Sequence, residues 1–184
     1  MTGSLIRGDQ ISCSRVGGAM RRESARLRQQ AQSLNQALAE LATRQDPDAG
    51  LPGQAGVAGT TALGVLQATA DDLDEAGAAL QRYATELAEG HELGRRAQRR
   101  VEAAGLLLKG TRVTEPWGPA DAERAERRRA QVPEVQSRVD LATAHVGRAR
   151  GRLEREMSRL TESFSALSLQ TQAARRVTAS LRRS

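Results

Sequence analysis

A chain of 184 residues with 39% hydrophobic residues carries enough apolar material for one domain with a core, which excludes disorder throughout. One Trp, one Tyr and one Phe leave that core to Ala, Leu and Val, which suits seams between helices and argues against a sheet sandwich. The net charge of +6 rests on 28 basic residues, all arginine except Lys109; their planar forks suit carboxylates and phosphates, but most are read as solvated helix faces.

Residues 1–18 read as a flexible or extended arm, without the charged start and long apolar run of a classical signal peptide. Cys13 is the single cysteine, so the chain forms no internal disulfide and no Cys-based metal site. From residue 19 onward a single helical-bundle domain, 19–184, is predicted. Its first helix spans about 19–45, on the seven-residue spacing of Met20, Leu27, Leu34 and Leu41, with Ala31 and Leu38 on the alternate seam.

The stretch DPDAGLPGQAGVAGTT, residues 46–61, has the Gly and Pro density of a loop, with Thr60 or Thr61 as the cap of the next helix. That second helix, over about 61–108, carries Leu66, Leu73, Leu80, Leu87, Val101 and Leu108 at heptad spacing, broken only at Gly94. Its longest unbroken aliphatic run, at 106–108, is far too short to span a membrane, so no membrane insertion is expected. A connection around GTRVTEPWGPAD, residues 110–121, holds the one tryptophan, Trp117. A short helix at 121–131 is possible. A last helix over about 133–183 starts at Pro133, where a missing N–H costs little, and repeats Val139, Val146, Leu153, Leu160, Leu167, Ala174 and Leu181. No strand pattern competes.

These elements predict an all-α protein: an elongated antiparallel helical hairpin, each long helix about 63 Å, with the shorter first helix packed on the half distant from Trp117. The half near Trp117 then exposes an apolar groove, and Val101, Leu108, Val139, Val146 and Leu153 together with Trp117 become candidates for binding a partner. The alternative is that residues 120–132 fold back over that groove with Ala122, Ala125 and Val132.

Register decides the electrostatics. With Leu66 opposite Leu181, Asp71, Asp72 and Glu75 face Arg175 and Arg176, while Arg95, Arg96, Arg99 and Arg100 approach Arg148, Arg150 and Arg152 as a basic patch. A seven-residue slip instead brings Gly90 and Gly94 near Gly147 and Gly151. Trp117 either covers the bare hairpin tip, stiffened by Pro116 and Pro119, or anchors in a partner's pocket.

A helical hairpin with a Trp-Gly element in its turn, preceded by YATELAEGHELGRRAQ, resembles actinobacterial relatives of the small Trp-x-Gly hairpin proteins of type VII secretion. The resemblance covers roughly residues 19–183. It implies two antiparallel helices meeting at the tryptophan turn, pairing as homodimers or heterodimers, and a role as secreted substrate or as module of a larger effector. The turn here reads Trp117-Gly118 without the intervening residue, the helices are longer, and the family's export signal, Tyr followed four residues later by an acid, is absent because Tyr83 is followed by Leu87.

Catalysis is not expected. His91 and His145 lie on different helices and make a poor metal pair; Gly50, Gly53, Gly56 and Gly59 lack the Lys and Ser or Thr of a phosphate cradle; no cofactor is implied. The reading is a non-enzymatic module that docks a helical partner or a second copy. It is placed in the cytoplasm or exported without a classical signal. The alternative is nucleic-acid binding, through ERAERRRAQ and ARRVTASLRRS neutralising phosphates, against which stand interspersed acids and few aromatics for stacking.

Overall fold

The computed structural model describes residues 5–44, 52–118 and 121–181, and its architecture is all-α. Three helices, α1 (Gln10–Arg44), α2 (Pro52–Ala103) and α3 (Ala122–Leu181), account for nearly all of it. A short hairpin of β1 (Leu107–Lys109) and β2 (Arg112–Thr114) lies between α2 and α3. The chain divides into two compact units: Met1–Ser14 with Gln81–Glu154, and Arg15–Leu80 with Arg155–Ser184. Among the described residues no helix is long and apolar enough to cross a membrane.

Several element boundaries differ from the sequence expectation, each for a local reason. The expected arm at 1–18, whose residues 1–4 lie outside the described residues, is helix from Gln10: Asp9 caps α1, its Oδ1 accepting the Ile11 N–H at 2.9 Å and its Oδ2 the Ser12 hydroxyl at 2.5 Å. The predicted loop at 46–61 is helical from Pro52, the first-turn position that tolerates a missing N–H; residues 45–51 lie outside the described residues. Thr60 and Thr61 are not caps, since both hydroxyls donate back to the Val57 carbonyl, at 3.0 and 2.8 Å. The possible helix at 121–131 and the helix at 133–183 are one, with Pro133 inside α3.

In the first unit, α2 and α3 run antiparallel, with Arg152 on Glu86 at 2.6 Å and Arg100 on Glu134 at 3.4 Å. Tyr83, Leu87, Val146 and Ala149 form one buried cluster, and Ile6 completes it. The Gly94 break in the apolar stripe is where the N-terminal segment enters: a side chain there would begin 3.1 Å from Ile6. Gly8, at φ +135°, passes so close to Leu87 that a Cβ would stand 2.8 Å from its methyl. Cys13 packs half-buried on this cluster.

In the second unit, α1 and α2 approach through small residues. A Cβ on Gly77 would stand 2.6 Å from the Gly17 carbonyl oxygen, and the buried Ser24 hydroxyl donates to the Ala70 carbonyl at 2.6 Å. Arg21 pairs with Asp74 at 3.1 Å and Arg28 with Asp71 at 3.0 Å. On the α3 side, Arg159 pairs with Glu75, and the Ser163 hydroxyl donates to Asp72 at 2.7 Å. The acids therefore do not await Arg175 and Arg176, whose side chains lie outside the described residues. The observed pairs fit neither expected register and lie about a helical turn beyond the slipped one. Gly90 lies against Val146 rather than against a glycine, and a Cβ on Gly147 would meet nothing within 4 Å.

Candidate interaction site at the Trp117 turn

The site begins where α2 stops. Gly105 takes φ +62°, the left-handed conformation that ends helices, while its N–H reaches the Glu102 carbonyl at 2.9 Å and the Leu106 N–H reaches Val101 at 3.0 Å. Leu106 thereby turns inward and is buried. The chain doubles back through Gly110-Thr111, where positive φ occurs at Gly110 alone, as a Gly-first two-residue hairpin turn requires. Leu108 pairs with Val113, whose side chain is buried.

Hairpin and α3 are fastened by one side chain. The Gln136 Oε1 accepts the Val113 N–H at 2.7 Å, while its Nε2 donates to the Thr111 carbonyl at 2.9 Å and to Asp140 at 2.8 Å. Beneath the hairpin, Leu106 and Val113 join Ala97, Val101, Val135 and Val139 in a second buried cluster, with Leu5, Leu108 and Val132 partly buried against it. Arg129 reaches Glu115 at 3.4 Å, and the Arg128 guanidinium lies over the Gly105 cap, where a cation suits the helix C-terminus.

Above this anchored base, Trp117 is 104% exposed. It covers nothing, so of the two roles expected for it, the cap over the hairpin tip is excluded in the isolated chain. Leu107, in β1 of the hairpin, is also exposed.

The open apolar groove is corrected. Val101, Val139 and Val146 are 3%, 0% and 7% exposed, and Leu108 and Leu153 are half-buried. The β-hairpin and residues Leu5 and Ile6 cover these positions. Val132 alone of the three residues expected to fold back packs on the core; Ala122 is exposed and Ala125 half-buried. Sequence reasoning missed Gln136 and the hairpin. Its signal was the LLLKGTRVT stretch, in which apolar residues flank a Gly-Thr turn.

The basic patch is largely neutralised. Arg95, Arg96 and Arg99 converge on Glu92, at 2.6, 2.9 and 3.6 Å. The Arg95 hydrogen bond, and after it that of Arg96, holds the Glu92 carboxyl below its ordinary value of 4.5. Arg100 pairs with Glu134, and Arg152 with Glu86. Arg148 and Arg150 are exposed, without an ion pair among the described residues. In ERAERRRAQ, Arg127 pairs with Glu123.

The His145 Nε2 lies 3.2 Å from the Glu86 carbonyl and 3.5 Å from Glu89. The His91 Nε2 is buried without a hydrogen-bond partner. Among the described residues no group of three His, Cys, Asp or Glu side chains is placed to hold a metal ion. Comparison of the chain with family models, with curated proteins and with solved structures finds no match in any of the three.

Proposed function

We propose that this protein is a non-enzymatic helical interaction module whose contact point is the Trp117 turn, and that it serves type VII secretion as a substrate or partner protein. The carrying observation is the full exposure of Trp117 on a base fastened by Gln136 and Arg129. A large apolar ring left in water is a standing cost that a partner's pocket removes, and tryptophan on a stiff support loses little entropy on docking. The secretion role is supported by the resemblance of a tryptophan turn between two antiparallel helices to the Trp-x-Gly hairpins.

Trp117→Ala is the direct test. Because the ring touches nothing in the isolated chain, the variant keeps the wild-type melting temperature. It loses at least about tenfold in affinity for a helical partner that copurifies with the wild type. Undiminished binding sinks the docking role. For the secretion role, the protein should vanish from the culture filtrate of an actinobacterial host when the type VII export ATPase is deleted; its persistence there would refute it.

Phosphate binding keeps one supporting observation, the unpaired Arg148 and Arg150. Five of the seven patch arginines already meet carboxylates, which weakens the field available to a polyanion. Retention on duplex DNA at low salt that is lost in an Arg148→Ala, Arg150→Ala variant would favour that reading over docking.

A further inference from the structure

The β-hairpin beneath Trp117 carries a charge pattern that its own fold does not use. Gln136 takes the Val113 N–H at 2.7 Å. Leu108↔Val113 is therefore the pair without mutual hydrogen bonds, and Lys109↔Arg112 is a bonded pair, its Cα atoms about 5.5 Å apart. Side chains alternate along a strand: Leu108 and Val113 turn to the core, while Leu107, Lys109, Arg112 and Thr114 share the outer face. Two cations thus stand directly opposite each other, an arrangement that destabilises a hairpin.

No carboxylate relieves them. Residues 105–118 contain three charged side chains, Lys109, Arg112 and Glu115. Glu115 is held by Arg129, and neither cation has an ion pair among the described residues. The unpaired charges beside the hairpin, at the end of α2 and the start of α3, are Glu102, Asp121 and Glu126 against Arg124 and Arg128, and they nearly cancel. The outer face is basic and also apolar, with Leu107 45% exposed. Trp117 is near: the five residues from Arg112 span at most about 18 Å, within the roughly 30 Å width of an interface patch of about 800 Å².

We infer that the partner receiving Trp117 is acidic: carboxylates beside its pocket seat on Lys109 and Arg112, and one of its apolar side chains covers Leu107. The inference rests on the docking role of Trp117 and adds the partner's charge to it. The number of cations selects a protein over a polyanion. Two fall short of the clusters of about four to eight that hold a chain on an anionic membrane, and a nucleic-acid backbone offers Leu107 nothing apolar. At the rim of a protein interface, two are enough to steer an acidic partner in and to reject a basic one. A second copy meeting this face with its own is among those rejected, because it brings the same two cations.

Two synthetic amphipathic helices of about 20 residues, long enough to be helical in water, supply the test. Each has one leucine stripe, flanked by glutamates in one and by lysines in its twin. Emission of Trp117, the one tryptophan of the chain, reads occupancy. The glutamate helix should shift it to the blue at an at least about tenfold lower concentration than the lysine twin. Lys109→Glu with Arg112→Glu keeps a like-charge pair at exposed positions, so the urea midpoint should hold while the preference passes to the lysine twin. Equal titration by the two helices overturns the acidic partner and leaves the docking of Trp117 standing, and a preference for glutamate that survives the double reversal does the same. If neither helix shifts the emission, the docking role fails and the inference with it. Vesicles of phosphatidylglycerol and phosphatidylcholine form the membrane arm: a blue shift at lower lipid concentration than the glutamate helix needs overturns the inference in favour of a lipid surface.

Discussion

Gln136 shows how much one side chain can decide. Its amide satisfies the Val113 N–H and the Thr111 carbonyl together, both in a hairpin too short to be stable alone. Gln136→Ala leaves a part-buried N–H without a partner, so it should destabilise the first unit by about 1–3 kcal/mol in urea denaturation. Glu92 makes a pH-dependent contribution. Its carboxyl is held below 4.5 in the fold by Arg95 and Arg96, so the stabilisation is complete above the ordinary value and fades as pH falls through the lowered one. Carbon-detected NMR titration should place the Glu92 midpoint below 4.5, and Arg95→Ala with Arg96→Ala should bring it back towards that value.

At the level of the elements, a capping residue and a glycine gap reorganised what heptads alone suggested. Asp9 starts α1 early, and Ile6 enters the space that Gly94 leaves, so the predicted arm is part of the core. Ile6→Ala should therefore cost about 2–5 kcal/mol, the range for truncating a buried aliphatic, where a free arm would show no change in the urea midpoint. The β-hairpin replaces the last helical turn expected of α2, because Gly105 accepts a conformation that a side chain would resist and Leu106 then gains burial. Pro133 is tolerated within α3 because tertiary packing of Val135 and Val139 holds the helix through the missing hydrogen bond.

Across the whole molecule, the large aliphatic side chains are shared unevenly. The first unit buries Leu87, Val101, Leu106, Val113, Val135, Val139 and Val146, while the second buries chiefly alanines, Ser24 and Leu160. Leu160 is thus the one large aliphatic buried in the second unit among the described residues. Leu160→Ala should lower stability by about 2–5 kcal/mol, read as a drop in the denaturation midpoint. A loss under about 1 kcal/mol would mean that the backbone closes over the gap. The same unevenness leaves Leu34, Leu38, Leu63 and Leu66 of the second unit half-open.

The heptad leucines and valines by themselves determined that the chain is all-α, with helices packed along apolar stripes, because a seven-residue repeat admits no other burial pattern. They also marked the Trp117 turn, since Pro and Gly interrupt the stripe there. Only the tertiary structure decided which stripes are covered. Val101, Val139 and Val146 read equally well as an open groove or a core, and the choice fell to a hairpin and an N-terminal segment whose own periodicity is too short to show. It likewise settled which arginines are paired, because the partners Glu92, Glu134 and Glu86 depend on a register that equal heptads leave degenerate.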